Sequence, residues 1–258
     1  MIMGYLKIFF TFIGRIFIVF SCLIALWHIL VVSLDAPHYI FPSPYAVFQA
    51  FITHHALLIH HASITMLEVF FGLLFGGILG FLSGLSLLQF YAARRLLLPV
   101  MLLSQAIPVF ALAPLLTLWL GYGLASKIAM TILVIYFPVT ISFYDGLRRT
   151  PQNMLDLAHV MNATPFRILW YLRVRHAVPQ LASGFKLAAS FAPIGAIIGE
   201  WVGASKGLGY LMLYANGRLK IDLMFAAIFI LAGLAVSLHS LVGKVGDYVS
   251  HTPINNEG

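Results

Sequence analysis

Charge is what this sequence has least of. Asp, Glu, Lys and Arg together make up 9% of its 258 residues, against roughly 25% in an ordinary soluble domain. So few charges cannot cover a water-facing surface, which excludes a single soluble globule. With 61% hydrophobic residues, disorder is excluded as well. Cysteine is nearly absent: Cys22 alone rules out an intrachain disulfide framework and any metal site made only of cysteines. No phosphate loop ending in Gly-Lys-Ser/Thr occurs, since GASKGLG at 203–209 has the wrong spacing. H-E-x-x-H is absent, no catalytic cluster is evident, and an enzyme is not expected. No repeat or low-complexity tract is visible. The net charge of +7 does not point to nucleic acid, because a multi-pass membrane protein gathers Lys and Arg on one side.

What the chain does have is long apolar runs. A bilayer-crossing helix needs about 20 apolar residues. Six stretches qualify: roughly 12–34, 63–88, 97–120, 127–145, 181–202 and 223–243. The first is too long for a signal peptide, and LDAPHY after it is a poor cleavage site. The expected fold is therefore all-α and polytopic, about six transmembrane helices forming a single domain over 1–258. With a cytoplasmic N-terminus, eleven basic residues lie inside, namely Lys7, Arg15, Arg94, Arg95, Arg148, Arg149, Arg167, Arg173, Arg175, Lys186 and Lys244. Four lie outside: Lys127, Lys206, Arg218 and Lys220. The positive-inside rule thus places both termini in the cytoplasm.

The longest inner loop, 146–180, departs most from a lipid-facing composition. Leu155, Leu157, Ala158, Met161, Ile168, Leu169 and Leu172 recur at helical spacing, interrupted at Asn162–Pro165. That pattern predicts two short helices with a break. Asn162 tolerates a left-handed backbone. Thr164–Pro165 reads as an N-cap followed by proline at the first helical position. A short helix over 165–172 either rests in the lipid headgroups or docks on a partner, and the loop alone does not decide between the two. The loop is expected to close at Pro179.

Here the chain resembles a family. Inner-membrane permease subunits of ATP-binding-cassette importers carry a cytoplasmic signature of Glu-Ala-Ala, three residues, Gly, nine residues and Ile-x-Leu-Pro. Asp156-Leu157-Ala158 stands at Glu-Ala-Ala, Asn162 at Gly, and Leu172-Arg173-Val174-Arg175 at the last element. Arg175 departs from the pattern, while Pro179 fits a second proline just beyond. PSPYAVFQA at 42–50, SQAIPVFALAPLL at 104–116, FYDGLRRTP at 143–151 and IGAIIGEWVGASKGLGYLM at 194–212 extend the likeness in family order. The last and second of these look most like permeases for thiamine pyrimidine precursors. Sulfonate, taurine and nitrate permeases are cousins.

The resemblance implies a bacterial inner-membrane, multi-pass protein forming the path for a small solute, a pyrimidine heterocycle or alternatively a sulfonate, taurine or nitrate. It implies a coupling helix, with Asp156, Ala158, Asn162, Ala163, Pro165, Phe166 and Arg167 working against an ATPase subunit. That partner would use ATP and Mg, with no cofactor in this chain. A second permease copy making a homodimer and an extracytoplasmic binding protein complete the implied partners. A secondary transporter is the rival class, but it needs charges at mid-membrane and inverted repeats.

Individual residues carry alternatives. Glu68 lies inside the second span, and an intramembrane acid invites a functional reading. It serves the path or a gate, or it makes a structural hydrogen bond or ion pair. Glu200, beside Trp201 near the end of the fifth span, belongs to the path or gate, or is an interfacial acid in an aromatic belt. Ser104, Gln105 and Pro108 form the most polar patch of the third span and are candidates to line the path. Gly72, Gly76, Gly80 and Gly84 recur every four residues, the spacing of a close helix–helix contact. His54, His55, His60 and His61 resemble a metal cluster but do not share a helix face, and no metal is expected; wet interfacial histidines are the plainer reading.

Overall fold

The computed structural model describes the backbone of residues 2–35 and 37–250, and side chains from residue 18 onward. Among the described residues there is no strand. The helices in order are α1 (Ile2–Ser33), α2 (Pro44–Thr53), α3 (His55–Gln89), α4 (Tyr91–Ala106), α5 (Val109–Leu120), α6 (Leu124–Arg148), α7 (Gln152–Val160), α8 (Pro165–Arg167), α9 (Arg175–Trp201), α10 (Leu208–Gly217) and α11 (Ile221–Ser250). A π-helical segment, Ile168–Val174, joins α8 to α9.

Two compact units are present. The first comprises the chain up to Ile59 together with Leu211–Phe229. Here Trp27 stacks on Phe225 at 5.8 Å and donates its indole N–H to the Pro42 carbonyl at 3.1 Å. Ser43 caps α2 by accepting from the Ala46 N–H, with Pro44 at the first helical position.

The second unit, His60–Tyr210 with Ile230 onward, carries the packed spans. Gly72, Gly76, Gly80 and Gly84 of α3 meet Thr131, Ile135, Val139 and Phe143 of α6 in turn. Both rows step by four residues in the same direction, so the helices run parallel. A Cβ at any of these glycines would collide with its partner; the row is a close-approach seam. On α9, Gly184 faces Ser142, Gly195 faces Thr131 and Gly199 faces Lys127, which sets α9 antiparallel to α6. Val69, Ile135, Val139, Ala188, Ala192 and Ala196 form the core between these three helices. α3 and α6 therefore begin at the end where α9 finishes.

Several expectations are corrected. The run 97–120 is not one straight helix: α4 and α5 bend by 107° at Ile107–Pro108. Proline cannot donate to the preceding turn and pushes the residue before it out of the helical region, and Ile107 sits at φ −83°, ψ 125°. Four helices or fused helices are long and apolar enough to cross a membrane, namely α3, α6, Pro165–Trp201 and α11, with the bent pair as a fifth. Of the first expected span, the apolar helix Ile18–Ser33 falls among residues with described side chains. The segment 165–172 is not a separate short helix, because its π turn runs straight into α9, and Pro179 lies inside α9 rather than closing a loop.

Candidate functional site

Two regions of the second unit concentrate the candidate residues. The first is the stretch between α6 and α9. Leu155 is buried and anchors α7. Beyond it the chain reverses at Asn162, whose φ of 54° is left-handed. The Asn162 N–H donates to the His159 carbonyl at 2.9 Å, and the Ala163 N–H to the Ala158 carbonyl at 2.9 Å. These are the two bonds of a Schellman C-cap, which needs a left-handed residue at its first non-helical position. Ala158, Asn162 and Ala163 are thus brought into one turn. Thr164 then restarts the helix, its Oγ1 accepting from the Arg167 N–H at 3.4 Å with Pro165 at the first position.

Ile168 and Leu169 are buried, while Phe166 remains 68% exposed and Arg167 lies open. The Phe166 and Trp170 rings are 6.2 Å apart. A groove beside them is lined by His159, Ala163, Phe166 and Arg173 together with Leu88 and Gln89 at the end of α3. Asp156 is exposed and accepts from the Gln152 amide at 3.0 Å.

The second region lies at the opposite end of the spans. Glu200 is 1% exposed and Glu68 2%. Glu200 accepts the Thr65 hydroxyl at 2.6 Å and the Gly209 N–H at 2.5 Å, and also the Tyr210 N–H. The Leu208 N–H donates to Thr65 Oγ1 at 2.8 Å, and the Gly207 N–H to His61 Nδ1 at 3.0 Å. Glu68 lies within hydrogen-bonding reach of Glu200, and its second oxygen, Oε2, has no partner. Lys127 is 2% exposed, with Nζ on the Tyr122 carbonyl at 2.7 Å, and its charge faces both acids.

The logic is that of a helix terminus. The first N–H groups of α10 have no partner within the helix, and a carboxylate there also meets the positive end of the helix dipole. Glu200 and Thr65 supply these acceptors from other helices. Gly207 makes room: its φ is 107°, and a Cβ would run into the Glu200 carboxyl. The alternative of Glu200 as an exposed interfacial acid is therefore excluded. His61 is likewise buried, not wet, and Lys127, counted as an outside charge, is buried in the first turn of α6.

The sequence reading missed Thr65, Lys127 and the glycine pair 207 and 209. A signal was available, since His61, Thr65 and Glu68 repeat at four and three residues and share one face of α3. Ser104, Gln105 and Pro108 are not drawn into this network. They are exposed at the α4–α5 bend, Ser104 donating to the Met101 carbonyl at 2.7 Å and Gln105 reaching only Ser104.

Long apolar helices packed through glycine seams, with arginines gathered at one end, define a polytopic membrane protein. The model of the family described as "binding-protein-dependent transport system inner membrane component" matches residues 72–248, and the chain belongs to that family: it is an ATP-binding-cassette importer permease subunit, not an enzyme. It is 51% identical over 222 residues to a "probable ABC transporter permease protein" of Haemophilus influenzae, covering 86% of this chain and 91% of the relative. It is 36% identical over 229 residues to the "formylaminopyrimidine transport permease protein ThiX" of Halalkalibacterium halodurans, covering 88% and 90%. In fold it is similar to a chain of the inward-facing MetNI methionine ABC transporter, with a TM-score of 0.58 at 19% identity over 81% of this chain and 98% of that one.

Proposed function

We propose that this permease imports a formylaminopyrimidine-type heterocycle, driven by ATP hydrolysis in a partner subunit docked on the Pro165–Trp170 face. The observation that carries the coupling role is the exposed Phe166 and Arg167 pair, held rigid by the Asn162 turn and the Thr164 cap and fused through the π segment to a 27-residue helix. A push on Phe166 would be passed to α9 without an intervening flexible loop. The arginine-rich end then faces the cytoplasm, with both chain termini, and the Glu200 end faces outward toward a binding protein. A second copy supplies the other half of the path. ATP and Mg are used by the ATPase partner.

At the outer end, Glu200, Glu68 and Thr65 act as a latch on the 203–207 loop and on the first residues of α10, Leu208 to Tyr210. Ser104, Gln105 and Pro108, at the bend of the fourth and fifth helices, are open to the path. The substrate assignment is supported by the 36% identity to ThiX and by the SQAIPVFALAPLL and IGEWVGASKGLGY stretches.

The test is uptake of labelled formylaminopyrimidine into vesicles holding permease, ATPase and binding protein. The parent chain is expected to transport it, while Phe166→Asp inserts normally but loses both uptake and the copurifying ATPase. Normal uptake and a retained ATPase in Phe166→Asp would reduce the segment to a headgroup-resting helix. Failure of the parent chain to carry formylaminopyrimidine, with coupling intact, would overturn only the substrate.

A further inference from the structure

α9 is inside out by the standard of a lipid-facing helix. Its fully buried side is small and apolar: Ala188, Ala189, Ala192 and Ala196 are all 0% exposed. Its other side carries Ser183 and Lys186, both exposed, and the half-buried Ser190. At 100° per residue these three fall within an arc of about 60°. Lys186, counted with the cytoplasmic charges on sequence alone, lies within α9, 11 residues past Arg175 and 15 before Trp201, about 16 and 22 Å along the axis at 1.5 Å per residue. A lysine can lean toward a headgroup, but serines cannot.

α11 closes one side of this stripe. His239 Nδ1 and Ser190 Oγ share a hydrogen bond of 2.7 Å. One turn along, the Lys186 stem crosses Gly243, whose missing side chain leaves the space. The other side is apolar and aromatic, with Leu187 and Phe191 exposed. Ser183 and Ser190 donate back to the Pro179 and Lys186 carbonyls at 3.0 and 3.3 Å and keep acceptor lone pairs for a solute, whereas the ammonium of Lys186 is costly in hydrocarbon and belongs where water or a solute meets it.

We propose that Ser183, Lys186 and Ser190 of α9, with His239 of α11 and the Phe191 ring, form a solute-contacting subsite on the translocation path. Its chemistry suits a small planar heterocycle. Lys186 offers a cationic donor and His239 a ring N–H or acceptor to carbonyl and ring-nitrogen groups, while Phe191 offers a stacking face. A few convergent polar groups on an apolar wall is the ordinary composition of a small-molecule site. The proposal deepens the import reading and rests on it, but it does not depend on which heterocycle is carried.

The first test is access. On a Cys22→Ser background, Ser183→Cys and Ser190→Cys are introduced singly into the complete transporter in vesicles. A charged, membrane-impermeant methanethiosulfonate is then applied from either side. Both cysteines should react faster than a Leu74→Cys control on the exposed apolar face of α3. Reaction no faster than the control would overturn the subsite while leaving the permease and its substrate reading intact. The second test is kinetic, with labelled formylaminopyrimidine as probe. Lys186→Met should raise the uptake KM by about tenfold, the loss of one charge-assisted hydrogen bond, and Lys186→Arg should restore most of it. An unchanged KM in Lys186→Met would also sink the proposal; if that variant fails to assemble, the access rates still decide it.

Discussion

The two ends of the second unit solve opposite problems. At the Glu200 end the polar groups are hidden and almost all partnered; at the Pro165 end the apolar groups are open and the polar ones wet. A buried carboxylate that accepts from Thr65, Gly209 and Tyr210 is committed to this chain's own architecture. A 68% exposed phenylalanine capped into a rigid turn, with only the Trp170 ring beside it, leaves most of its own ring open. The first arrangement suits a latch, and the second suits the partner surface proposed for it. Substitutions at the latch should therefore register in stability, and those at the surface in coupling alone.

The largest stability effect is expected at Glu200. Glu200→Ala leaves the Gly209 and Tyr210 amides and the Thr65 hydroxyl without their acceptor in the interior, at about 1–3 kcal/mol for each group left unmade. The melting temperature in detergent should fall steeply, and the 203–207 loop should become protease-sensitive. Glu200→Gln keeps one acceptor oxygen and should lose about half as much. A melting curve for Glu200→Ala indistinguishable from the parent would mean that α10 is held some other way.

Gly207→Ala comes next, at about 2–4 kcal/mol, combining a left-handed backbone penalty with overpacking against the Glu200 carboxyl. It is expected to reproduce the loop's protease sensitivity, and Gly207→Ala combined with Glu200→Ala should cost less than the two separately, because they break one contact. Additive losses would separate the two residues.

Smaller still is Asn162→Val. A β-branched residue resists φ 54° and costs about 1–2 kcal/mol locally, but the turn is exposed. Global melting should shift little while uptake falls; Asn162→Gly should transport like the parent. Equal uptake in the Val and Gly variants would show that the left-handed turn is not what presents the helix. Phe166→Asp should change stability least, within about 0.5 kcal/mol, despite abolishing transport.

These contrasts follow how much each region showed in the sequence. The Pro165 end was legible because its signals are local: Asn162 as a left-handed residue, and Thr164–Pro165 as a cap and first-position proline, lie within four residues of the turn they make. The glycine row on α3 was legible for the same reason, a spacing of four on one helix. Not legible was the continuation past residue 172, because nothing in ILWYLRV distinguishes a π turn from an α turn. The bend at Ile107–Pro108 was visible as a proline but not as 107°. The Glu200 network was hidden because its partners lie 135 and 9 residues away. Lys127 reads in the sequence only as an outside charge, because the Tyr122 carbonyl and Ser126 hydroxyl that receive it are set by the fold.

The central claim is that the exposed Phe166 face couples this chain to an ATPase while the Glu200 end does not. A photoreactive phenylalanine analogue at position 166, in membranes holding the complete transporter, tests it most directly. Irradiation is expected to join the permease to the ATPase subunit in high yield, and the same probe at Tyr122, exposed beside the latch, should not. Adducts to lipid alone from position 166, with the ATPase still bound elsewhere, would contradict the account.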